Sequence, residues 1–322
     1  MLSEFDLIKR YFAHHSAPDE QLALGVGDDC ALLNLTPGMQ LAVSSDMLVS
    51  GRHFFADADP TLLGHKCLAV NLSDLAAMGA RPVGFTLAFS LPSAEPDWLA
   101  AFAQGLLSLA DQHRCRLIGG DTTKGPLNIC LTVFGELPPG SALRRDAARD
   151  DDDIWVSGTL GDARLALAGY LHELALSPAD LHLAAPRMHA PTPRVALGLA
   201  LRGIAHAAVD ISDGLAGDLG HILERSHCGA TLFIDALPAG PALQQQDRAI
   251  RRRFTLSGGD DYELCFTAPS SQRAAVLAAG LHSATAVTRI GRIEAQPGLR
   301  LLDTNMKTVS LRLESFDHFN SP

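Results

Sequence analysis

The stretch of sequence that decides the fold reads Asn71-Leu72-Ser73-Asp74-Leu75-Ala76-Ala77-Met78-Gly79-Ala80. It ends a longer run, residues 60–78, in which apolar side chains occur on nearly every side of a helical projection. Pro60 suits the first position of a helix that Asp59 caps, and Gly79 suits the residue that ends it. Because a helix that is apolar all round must be covered on all sides, the run predicts a helix buried in a globular protein.

Two polar side chains, Asn71 and Asp74, interrupt this helix three residues apart, so they share one of its faces. A buried carboxylate without a partner is strongly destabilising. Asp74 therefore requires either a salt bridge, with Lys66 or Arg81 as the candidates, or a bound cation. We favour a metal site, because polar groups this rare in an apolar helix tend to be functional.

Carboxylates recur in five further motifs, beside glycine or hydroxyl residues and mostly where an apolar run ends. These motifs are Gly25-Val26-Gly27-Asp28-Asp29, Ser44-Ser45-Asp46, Gly119-Gly120-Asp121-Thr122, Asp210-Ile211-Ser212-Asp213-Gly214 and Ser257-Gly258-Gly259-Asp260-Asp261-Tyr262-Glu263. Converging carboxylates repel one another unless a cation lies among them. Oxygen ligands without paired Cys or His suit Mg²⁺, which usually serves a polyphosphate. The motifs together predict an enzyme that uses ATP.

Each motif taken alone also has a purely structural explanation. A Gly27-Asp28 pair commonly makes a hairpin turn, and for the first motif alone that explanation is favoured. Asp46 and Gly120 would also suit turns at the ends of strands. Asp213 could cap a helix that begins at the following glycine, an explanation that does not extend to Asp210.

Other nucleotide-binding signatures are absent from the sequence, which has no P-loop, no G-x-G-x-x-G after a strand and no protein-kinase H-R-D or D-F-G set. Arg144 and Arg145 are candidate phosphate contacts, although at least one of them is better explained as part of a solvated linker. His53 lies near the predicted strand end that carries Asp46. This position favours contact with a ligand over the packing role that is more common for a single histidine.

Length and composition narrow the class of protein. The 322 residues exceed what one hydrophobic core organises, and the charged, Pro-Gly-rich stretch 138–153 suits a domain boundary. A net charge of −10 disfavours a general nucleic-acid binder. Six scattered cysteines without a C-x-x-C pair predict reduced thiols and a cytoplasmic protein. No signal core and no apolar run of 18 residues occurs, so we expect no membrane association.

Both halves of the chain alternate between helical and strand patterns. Helices are predicted at residues 3–15, 60–78, 96–113, 161–171, 193–201, 214–225 and 270–279. Strands are predicted at residues 22–35, 40–45, 82–91, 115–118, 127–137, 154–157, 207–211, 262–267 and 289–293. The first of these is interrupted by a turn at residues 25–29. Residues 72–76 resemble residues 211–216. This internal similarity is short and is weak evidence that the two halves of the chain are related.

In this order, five of the motifs resemble those of thiamine-monophosphate kinases, within the ATP-binding superfamily typified by aminoimidazole ribotide synthetase. They are residues 25–33, 71–80, 117–123, 210–214 and 256–264. The resemblance covers essentially the whole chain. It implies the two-domain fold of the aminoimidazole ribotide synthetase superfamily, with one α/β domain and one α+β domain. Residues 1–145 would form an α/β domain that binds metal and ATP and dimerises through its sheet. Residues 146–322 would form an α+β domain that completes the ATP and substrate site.

The resemblance also implies a role for each matching position. The implied Mg²⁺ ligands are Asp29, Ser44, Ser45, Asp46, Asp74, Asp121, Asp210 and Asp213. The implied ATP contacts are Gly120, Asp121, Arg145 and Ser212. The implied substrate contacts are His53, Asp260 and Phe316, of which Phe316 suits stacking on an aromatic ring. Members of the family often carry Glu where Asp260 stands, which makes that contact less direct.

The implied reaction is the ATP-dependent phosphorylation of thiamine monophosphate to thiamine diphosphate by direct in-line transfer, carried out by a cytoplasmic homodimer. Other members of the superfamily are the enzymatic alternatives. A selenophosphate synthetase should carry a reactive Cys with a nearby Lys, and Cys30 has no adjacent Lys. A hydrogenase-maturation relative should end in a functional Cys, whereas this chain ends in Asn320-Ser321-Pro322. Chemistry alone does not exclude an aminoimidazole ribotide synthetase or a nucleotide-binding protein without activity.

Overall fold

The computed structural model describes residues 4–12 and 20–311 of the chain. Contacts between residues divide the chain into two compact units, residues 1–75 with 80–140 and residues 76–79 with 141–322. The helices of the described residues are α1 (Glu4–Tyr11), α2 (Pro60–Ala77), α3 (Pro96–His113), α4 (Asp162–Tyr170), α5 (Pro178–His189), α6 (Val195–Ala200), α7 (Leu215–Arg225), α8 (Arg248–Ser257) and α9 (Arg273–His282). The strands are β1 (Leu22–Leu24), β2 (Leu32–Leu33), β3 (Gln40–Val49), β4 (Arg81–Leu91), β5 (Arg116–Lys124), β6 (Asn128–Leu137), β7 (Asp152–Ser157), β8 (Ala207–Asp210), β9 (Gly229–Phe233), β10 (Leu264–Pro269), β11 (Val287–Glu294) and β12 (Gly298–Leu302).

The first unit is built on a four-stranded sheet in the order β3-β6-β4-β5, antiparallel except for the parallel pair β4 and β5. The register aligns Ser44 with Val133 and Val133 with Phe85, so these residues share one face of the sheet. Helix α2 contacts this face at Ser44, and the ring of Phe102 on α3 stacks 6.0 Å from that of Phe89 on β4. Both helices therefore pack on the same face.

Helix α2 confirms the interpretation of the stretch that decides the fold. Leu68 and Leu72 have no exposed surface, and Leu75 is 1 % exposed. The helix ends at Ala77, two residues before Gly79, which has a left-handed φ of 66°. A residue without Cβ adopts this conformation at little cost, so the glycine marks the end of the helix.

The second unit is built on a six-stranded sheet in the order β12-β9-β11-β7-β10-β8. Strand β12 is parallel to β9, and the other neighbouring pairs are antiparallel. Helix α7 contributes Leu215, Leu219 and Ile222 to the hydrophobic core beside Val156 and Val209 of the sheet. These three helical side chains have no exposed surface, and their spacing is that of one face of an amphipathic helix.

Two strands of the first unit are longer than the sequence predicted. Strand β3 continues to Val49 and β5 continues to Lys124, so the motifs that contain Asp46 and Asp121 lie inside strands rather than at their ends. Both strands are at the edges of the sheet and have exposed positions. Strand pairing continues through the polar residues because an antiparallel or mixed sheet tolerates polar side chains on a solvated face.

Four elements were missed by the sequence analysis, namely α5, α8, β9 and β12. Helix α5 contains Pro186 in its interior, and the arginine-rich sequence RAIRRRFTLS of α8 gives little apolar periodicity. Strands β9 and β12 are short and begin with glycine. The helix predicted at residues 3–15 spans Glu4–Tyr11, and residues 3 and 13–15 of that prediction lie outside the described residues. Within the described ranges, no helix is long and apolar enough to cross a membrane.

Candidate active site

Helix α2 and strand β3 meet through the two polar residues that interrupt the helix. Oγ of Ser44 donates a hydrogen bond to Oδ2 of Asp74 at 2.5 Å, and the backbone N–H of Asp46 donates to Oδ1 of Asn71 at 3.1 Å. Nδ2 of Asn71 donates to the carbonyl oxygen of Cys67 one turn earlier, at 2.9 Å. Three of the predicted Mg²⁺ ligands, Ser44, Asp46 and Asp74, are therefore brought together at this contact.

Ser45 and Asp121 lie on the other face of the same sheet. Ser45 alternates with the residues that face α2, and its Oγ is 3.0 Å from Oγ1 of Thr132 on β6. Asp121 is exposed on β5 and is aligned with Ala88 of β4, which the register places on the face of Ser45. The predicted ligands on strands β3 and β5 are thus divided between the two faces of one sheet.

Gly120 lies where β5 comes very close to β4. A Cβ atom on Gly120 would be 1.8 Å from the carbonyl oxygen of Leu87, and the φ angle of Gly120 is 152°. Glycine is therefore required at this position by strand packing alone. The ATP contact that the family resemblance implies for Gly120 stays a prediction beside this structural requirement.

Asp29 and His53 lie in loops of the first unit. Asp29 is exposed in the loop between β1 and β2, and its backbone N–H donates to Oδ1 of Asp28 at 2.9 Å. Nδ1 of His53 accepts a hydrogen bond from the backbone N–H of Val49 at 3.0 Å, in the turn that follows β3. This bond assigns the proton of a neutral imidazole to Nε2 and fixes the ring against the end of β3.

The two acidic motifs of the second unit are joined through their backbones. The N–H of Asp260 donates to the carbonyl oxygen of Ser212 at 2.8 Å, and the N–H of Tyr262 donates to that of Ile211 at 2.8 Å. Asp260 and Tyr262 have left-handed φ angles of 66° and 48°. The structure therefore brings the predicted substrate contact Asp260 next to Ser212, the predicted ATP contact, and to the adjoining Asp213.

The 257–263 segment takes part in a buried ionic network that the sequence analysis missed. Glu263 has no exposed surface and accepts hydrogen bonds from Arg194 Nε at 2.6 Å, Arg187 Nη2 at 2.7 Å and Ser157 Oγ at 2.5 Å. Both carboxylate oxygens of Asp261 lie near the backbone N–H of Gly161, at 2.9 and 3.0 Å. Burial raises the pKa of Asp261 well above its ordinary value, although the charge of Arg187 opposes this rise.

Asp218, in the first turn of α7, reaches back to the 210–214 motif. Its Oδ2 accepts hydrogen bonds from the backbone N–H groups of Asp213 and Gly214, both at 3.1 Å. Burial, followed by the nearby charge of Asp213, raises the pKa of Asp218 to about 7. The helix begins after Gly214, which has no side chain to cap it, and the capping alternative considered for Asp213 stays a prediction. An acidic residue in a first helical turn was the available signal for Asp218.

Arg145 lies beside a groove of about 530 Å³ in the second unit. The groove is lined by Met78, Arg144, Arg145, Asp146, His221, Glu224 and Arg225. Arg144 is engaged in a bidentate ion pair with Asp146, at 2.8 and 2.5 Å. The carbonyl oxygen of Arg145 accepts a hydrogen bond from Ser226 Oγ at 2.8 Å, which fixes the backbone of Arg145 at the end of α7.

In the parts of the chain that the structure describes, no group of three or more His, Cys, Asp or Glu side chains is arranged to hold a metal ion. Asp210 ends strand β8 and is 5 % exposed, next to the turn that carries Asp213. Phe316, the predicted aromatic contact with the substrate, lies outside the described residues. The Mg²⁺ set therefore stays a prediction.

Comparison with known proteins shows what the chain is similar to. The family models AIR synthase related protein, N-terminal domain, and AIR synthase related protein, C-terminal domain, match residues 27–137 and 149–304. The thiamine-monophosphate kinase of Salmonella typhimurium is 46 % identical over 322 residues, which cover 99 % of each chain. The crystal structure of thiamine-monophosphate kinase from Stenotrophomonas maltophilia K279a has a TM-score of 0.86 and 49 % identity, and the match covers 93 % of this chain and 96 % of that one. The structure of AaThiL complexed with AMPPCP and TMP has a TM-score of 0.76 and 28 % identity, with 99 % and 97 % covered.

Proposed function

The chain belongs to the thiamine-monophosphate kinase family, and on that premise we propose that it transfers the γ-phosphoryl group of ATP to thiamine monophosphate. The products are thiamine diphosphate and ADP. The observation that carries the proposal is the match to thiamine-monophosphate kinases over essentially the full length of both chains. The similarity to a structure that holds AMPPCP and TMP supports the same pair of substrates.

The reaction needs positioning more than proton transfer. The attacking phosphate oxygen of thiamine monophosphate is already anionic, so no strong general base is required. Catalysis then consists of aligning this oxygen with the γ-phosphorus and neutralising the charge that the two groups bring together. The hydrogen bonds between residues 211–212 and 260–262 suit this task, because they fix the backbones of two predicted site segments. Transfer is direct, since no predicted site residue is a nucleophile activated by a neighbouring base.

Mg²⁺ fits the donors that the proposed site offers, because these are carboxylate and hydroxyl oxygens, the ligands of a hard cation. The side chains that would hold the ions are Asp29, Ser44, Ser45, Asp46, Asp74, Asp121, Asp210 and Asp213. The contact between Ser44 and Asp74, with Asp46 on the same face of β3, supports three members of this set. When bound, Mg²⁺ supplies positive charge to the transferring phosphoryl group.

Contacts to the two substrates are proposed for seven residues. Gly120, Asp121, Arg145 and Ser212 would contact ATP. His53, Asp260 and Phe316 would contact thiamine monophosphate. The groove beside Arg145 and the bond that fixes Asp260 to Ser212 support the assignments in the second unit. Phe316→Ala should raise the KM for thiamine monophosphate and leave that for ATP nearly unchanged, because stacking and burial of a ring contribute about 1–3 kcal/mol.

We also propose that the protein is a homodimer that pairs through the sheet of the first unit. The face of β3 opposite α2 carries Leu41, Val43 and Met47, which are 46 %, 55 % and 54 % exposed. Adjacent exposed apolar side chains on a sheet are typical of an interface. A second copy of the chain would cover this face by two-fold symmetry, because the same patch then meets itself.

The cysteines without a disulfide among the described residues support a cytoplasmic location.

An acceptor screen tests the proposed function. The purified protein is incubated with ATP, Mg²⁺ and one of thiamine monophosphate, thiamine, or a non-thiamine phosphate ester, and products are identified by mass spectrometry. Of the three acceptors, we expect only thiamine monophosphate to be phosphorylated, giving ADP and thiamine diphosphate in equal amounts. ATP binding without a phosphorylated product would contradict the proposal and favour a nucleotide-binding protein. Inversion of configuration at a chiral γ-phosphorus supports direct transfer, whereas retention would indicate a phosphoenzyme.

A further inference from the structure

Helix α7 follows directly on the turn that carries Ser212 and Asp213, and one of its own carboxylates holds that turn. Oδ2 of Asp218 accepts the N–H groups of Asp213 and Gly214, both at 3.1 Å. Asp218 is 3 % exposed, so these N–H groups cannot readily exchange this acceptor for water. Gly214 has a φ of 113°, and a Cβ atom there would lie 2.9 Å from the carbonyl carbon of Ser257. The turn is therefore closely packed as well as hydrogen-bonded.

The other side of the turn is held by a different segment. The N–H of Asp260 donates to the carbonyl oxygen of Ser212, and the N–H of Tyr262 donates to that of Ile211. These bonds restrain the carbonyl groups at the start of the turn, whereas Asp218 restrains the N–H groups at its end. Loss of the Asp218 acceptor would leave the end of the turn without this restraint from α7.

We propose that Asp218 is a positioning residue for phosphoryl transfer, which fixes the turn so that Ser212 and Asp213 are presented to the nucleotide and its metal. The proposal rests on the proposed function. Asp218 acts through the backbone of the turn and does not itself touch either ligand. Both hydrogen bonds end on one oxygen atom, so an amide oxygen in the same place can accept them. The role therefore depends on the acceptor and not on the negative charge.

Two substitutions separate the role of the hydrogen-bond acceptor from that of the negative charge. Asp218→Asn keeps an acceptor of the same shape and removes the charge, whereas Asp218→Ala removes the acceptor. The matched control is Asp152→Ala, because Asp152 is also a buried acceptor, with hydrogen bonds from the N–H of Arg149 at 3.0 Å and from Thr267 Oγ1 at 3.2 Å. Asp152 lies at the other end of the sheet, since it pairs with Pro269 of β10 whereas Asp210 pairs with Leu264.

Two readouts separate positioning from general destabilisation. Amide hydrogen exchange of the peptide that contains residues 212–214 should accelerate in Asp218→Ala, and it should stay near the wild-type rate in Asp218→Asn and Asp152→Ala. The kcat/KM for ATP should fall by about 100-fold in Asp218→Ala, the scale of a misplaced catalytic group, and by less than about threefold in Asp218→Asn. Asp152→Ala should lower the melting temperature and leave kcat/KM within about threefold of wild type.

Several outcomes would overturn the proposal. Wild-type exchange and kcat/KM in Asp218→Ala would show that the turn does not depend on Asp218. Equal losses in Asp218→Asn and Asp218→Ala would show that the charge acts directly on a ligand, and an equal loss in Asp152→Ala would indicate destabilisation alone. Should Asp218→Ala fail to fold, Asp218→Ser is used, because its shorter side chain does not reach both N–H groups. A wild-type protein that forms no thiamine diphosphate refutes the proposed function instead, and the exchange measurement still reports on the turn.

Discussion

Arg194 and Glu263 form a bidentate ion pair, with Nε 2.6 Å from Oε2 and Nη2 2.5 Å from Oε1. Glu263 has no exposed surface, and Arg187 donates to the same Oε1 at 2.7 Å. Removing one member of a buried pair leaves the other charge in a medium that solvates it poorly, so such pairs depend on both partners. The network holds Glu263 immediately before strand β10, which begins at Leu264.

Glu263→Gln should lower the free energy of unfolding by about 3–5 kcal/mol, because the neutral amide leaves Arg187 and Arg194 without their countercharge. Urea denaturation followed by tryptophan fluorescence measures the change. The matched control is Glu173→Gln, which removes a partly exposed pair with Arg164 and should cost less than about 1 kcal/mol. Equal effects of the two substitutions would contradict the importance of this network.

The same network shows why the site was only partly predictable from sequence. Residues 257–263 were recognised as one acidic motif, but their tasks are set by residues far along the chain, since Arg194 lies 69 positions before Glu263. Asp261 and Glu263 have no exposed surface and bind the chain's own donors, whereas Asp260 is half-buried beside Ser212. A local sequence pattern identifies such carboxylates. It does not show which of them bind donors of the chain itself and which are available to a ligand.

Secondary structure was predictable where local chemistry determines it. Helix α3 begins at Pro96 and ends at His113 as predicted, because proline suits a first helical position and an apolar face continues through the helix. Asp74 was predicted to need a partner, and Ser44 supplies a hydrogen bond to it. Strand ends were not predictable, because β3 and β5 continue through polar residues only where a neighbouring strand pairs with them.

Gly120→Ala should destabilise the first unit by about 2–4 kcal/mol, because the new Cβ atom would be 1.8 Å from the carbonyl oxygen of Leu87. The neighbouring Gly119→Ala is the matched control, since a Cβ there meets only Cγ2 of Thr86 at 3.9 Å. Thermal unfolding of the two variants measures the difference. A stable Gly120→Ala protein that binds ATP poorly would instead assign Gly120 to the nucleotide alone.

Asp46→Asn and Asp121→Asn should each lower turnover by about 100-fold or more at saturating Mg²⁺, with little change in melting temperature, because loss of a metal ligand removes charge stabilisation of the transferring phosphate. Turnover of each variant is measured over a range of Mg²⁺ concentrations up to saturation. Asp111→Asn, an exposed position on α3, serves as the control and should match the wild type. Turnover near the wild-type value in both variants would remove these residues from the metal set.

Val43→Glu should convert the proposed dimer to a monomer, because burying a charge on this face of β3 against its own symmetry copy is strongly unfavourable. Light scattering should give twice the chain mass of 34.2 kDa for the wild type and the single mass for the variant. Leu281→Glu is the control, since Leu281 is an exposed leucine of α9, outside the proposed interface, and the variant should stay dimeric. A wild-type monomer at micromolar concentration refutes the proposed interface.

Asp235 joins three segments of the second unit. It accepts hydrogen bonds from Arg252 at 2.9 and 2.8 Å, from Arg248 at 3.2 and 2.7 Å and from the backbone N–H of Thr304 at 3.0 Å. The side chain is 13 % exposed, so water screens these contacts only in part. Hydrogen bonds from Arg252, followed by those from Arg248, hold the pKa of the Asp235 carboxyl well below its ordinary value of 3.8.

This lowered pKa fixes the direction of a pH effect on stability. A carboxyl group whose pKa is lower in the folded than in the unfolded chain stabilises the fold above the unfolded pKa, and this contribution is lost as the pH falls through the folded pKa. Asp235→Asn should therefore be less stable than wild type by about 1–3 kcal/mol at pH 7, since it loses hydrogen bonds to charged groups. The difference should stay constant down to about pH 5 and shrink at lower pH, because only the wild type then takes up a proton at this position on unfolding. Urea denaturation of both proteins at several pH values measures it, with Asp247→Asn, an exposed position just before α8, as the control. A difference that grows as the pH falls would show that Asp235 is not held as a carboxylate by the two arginines.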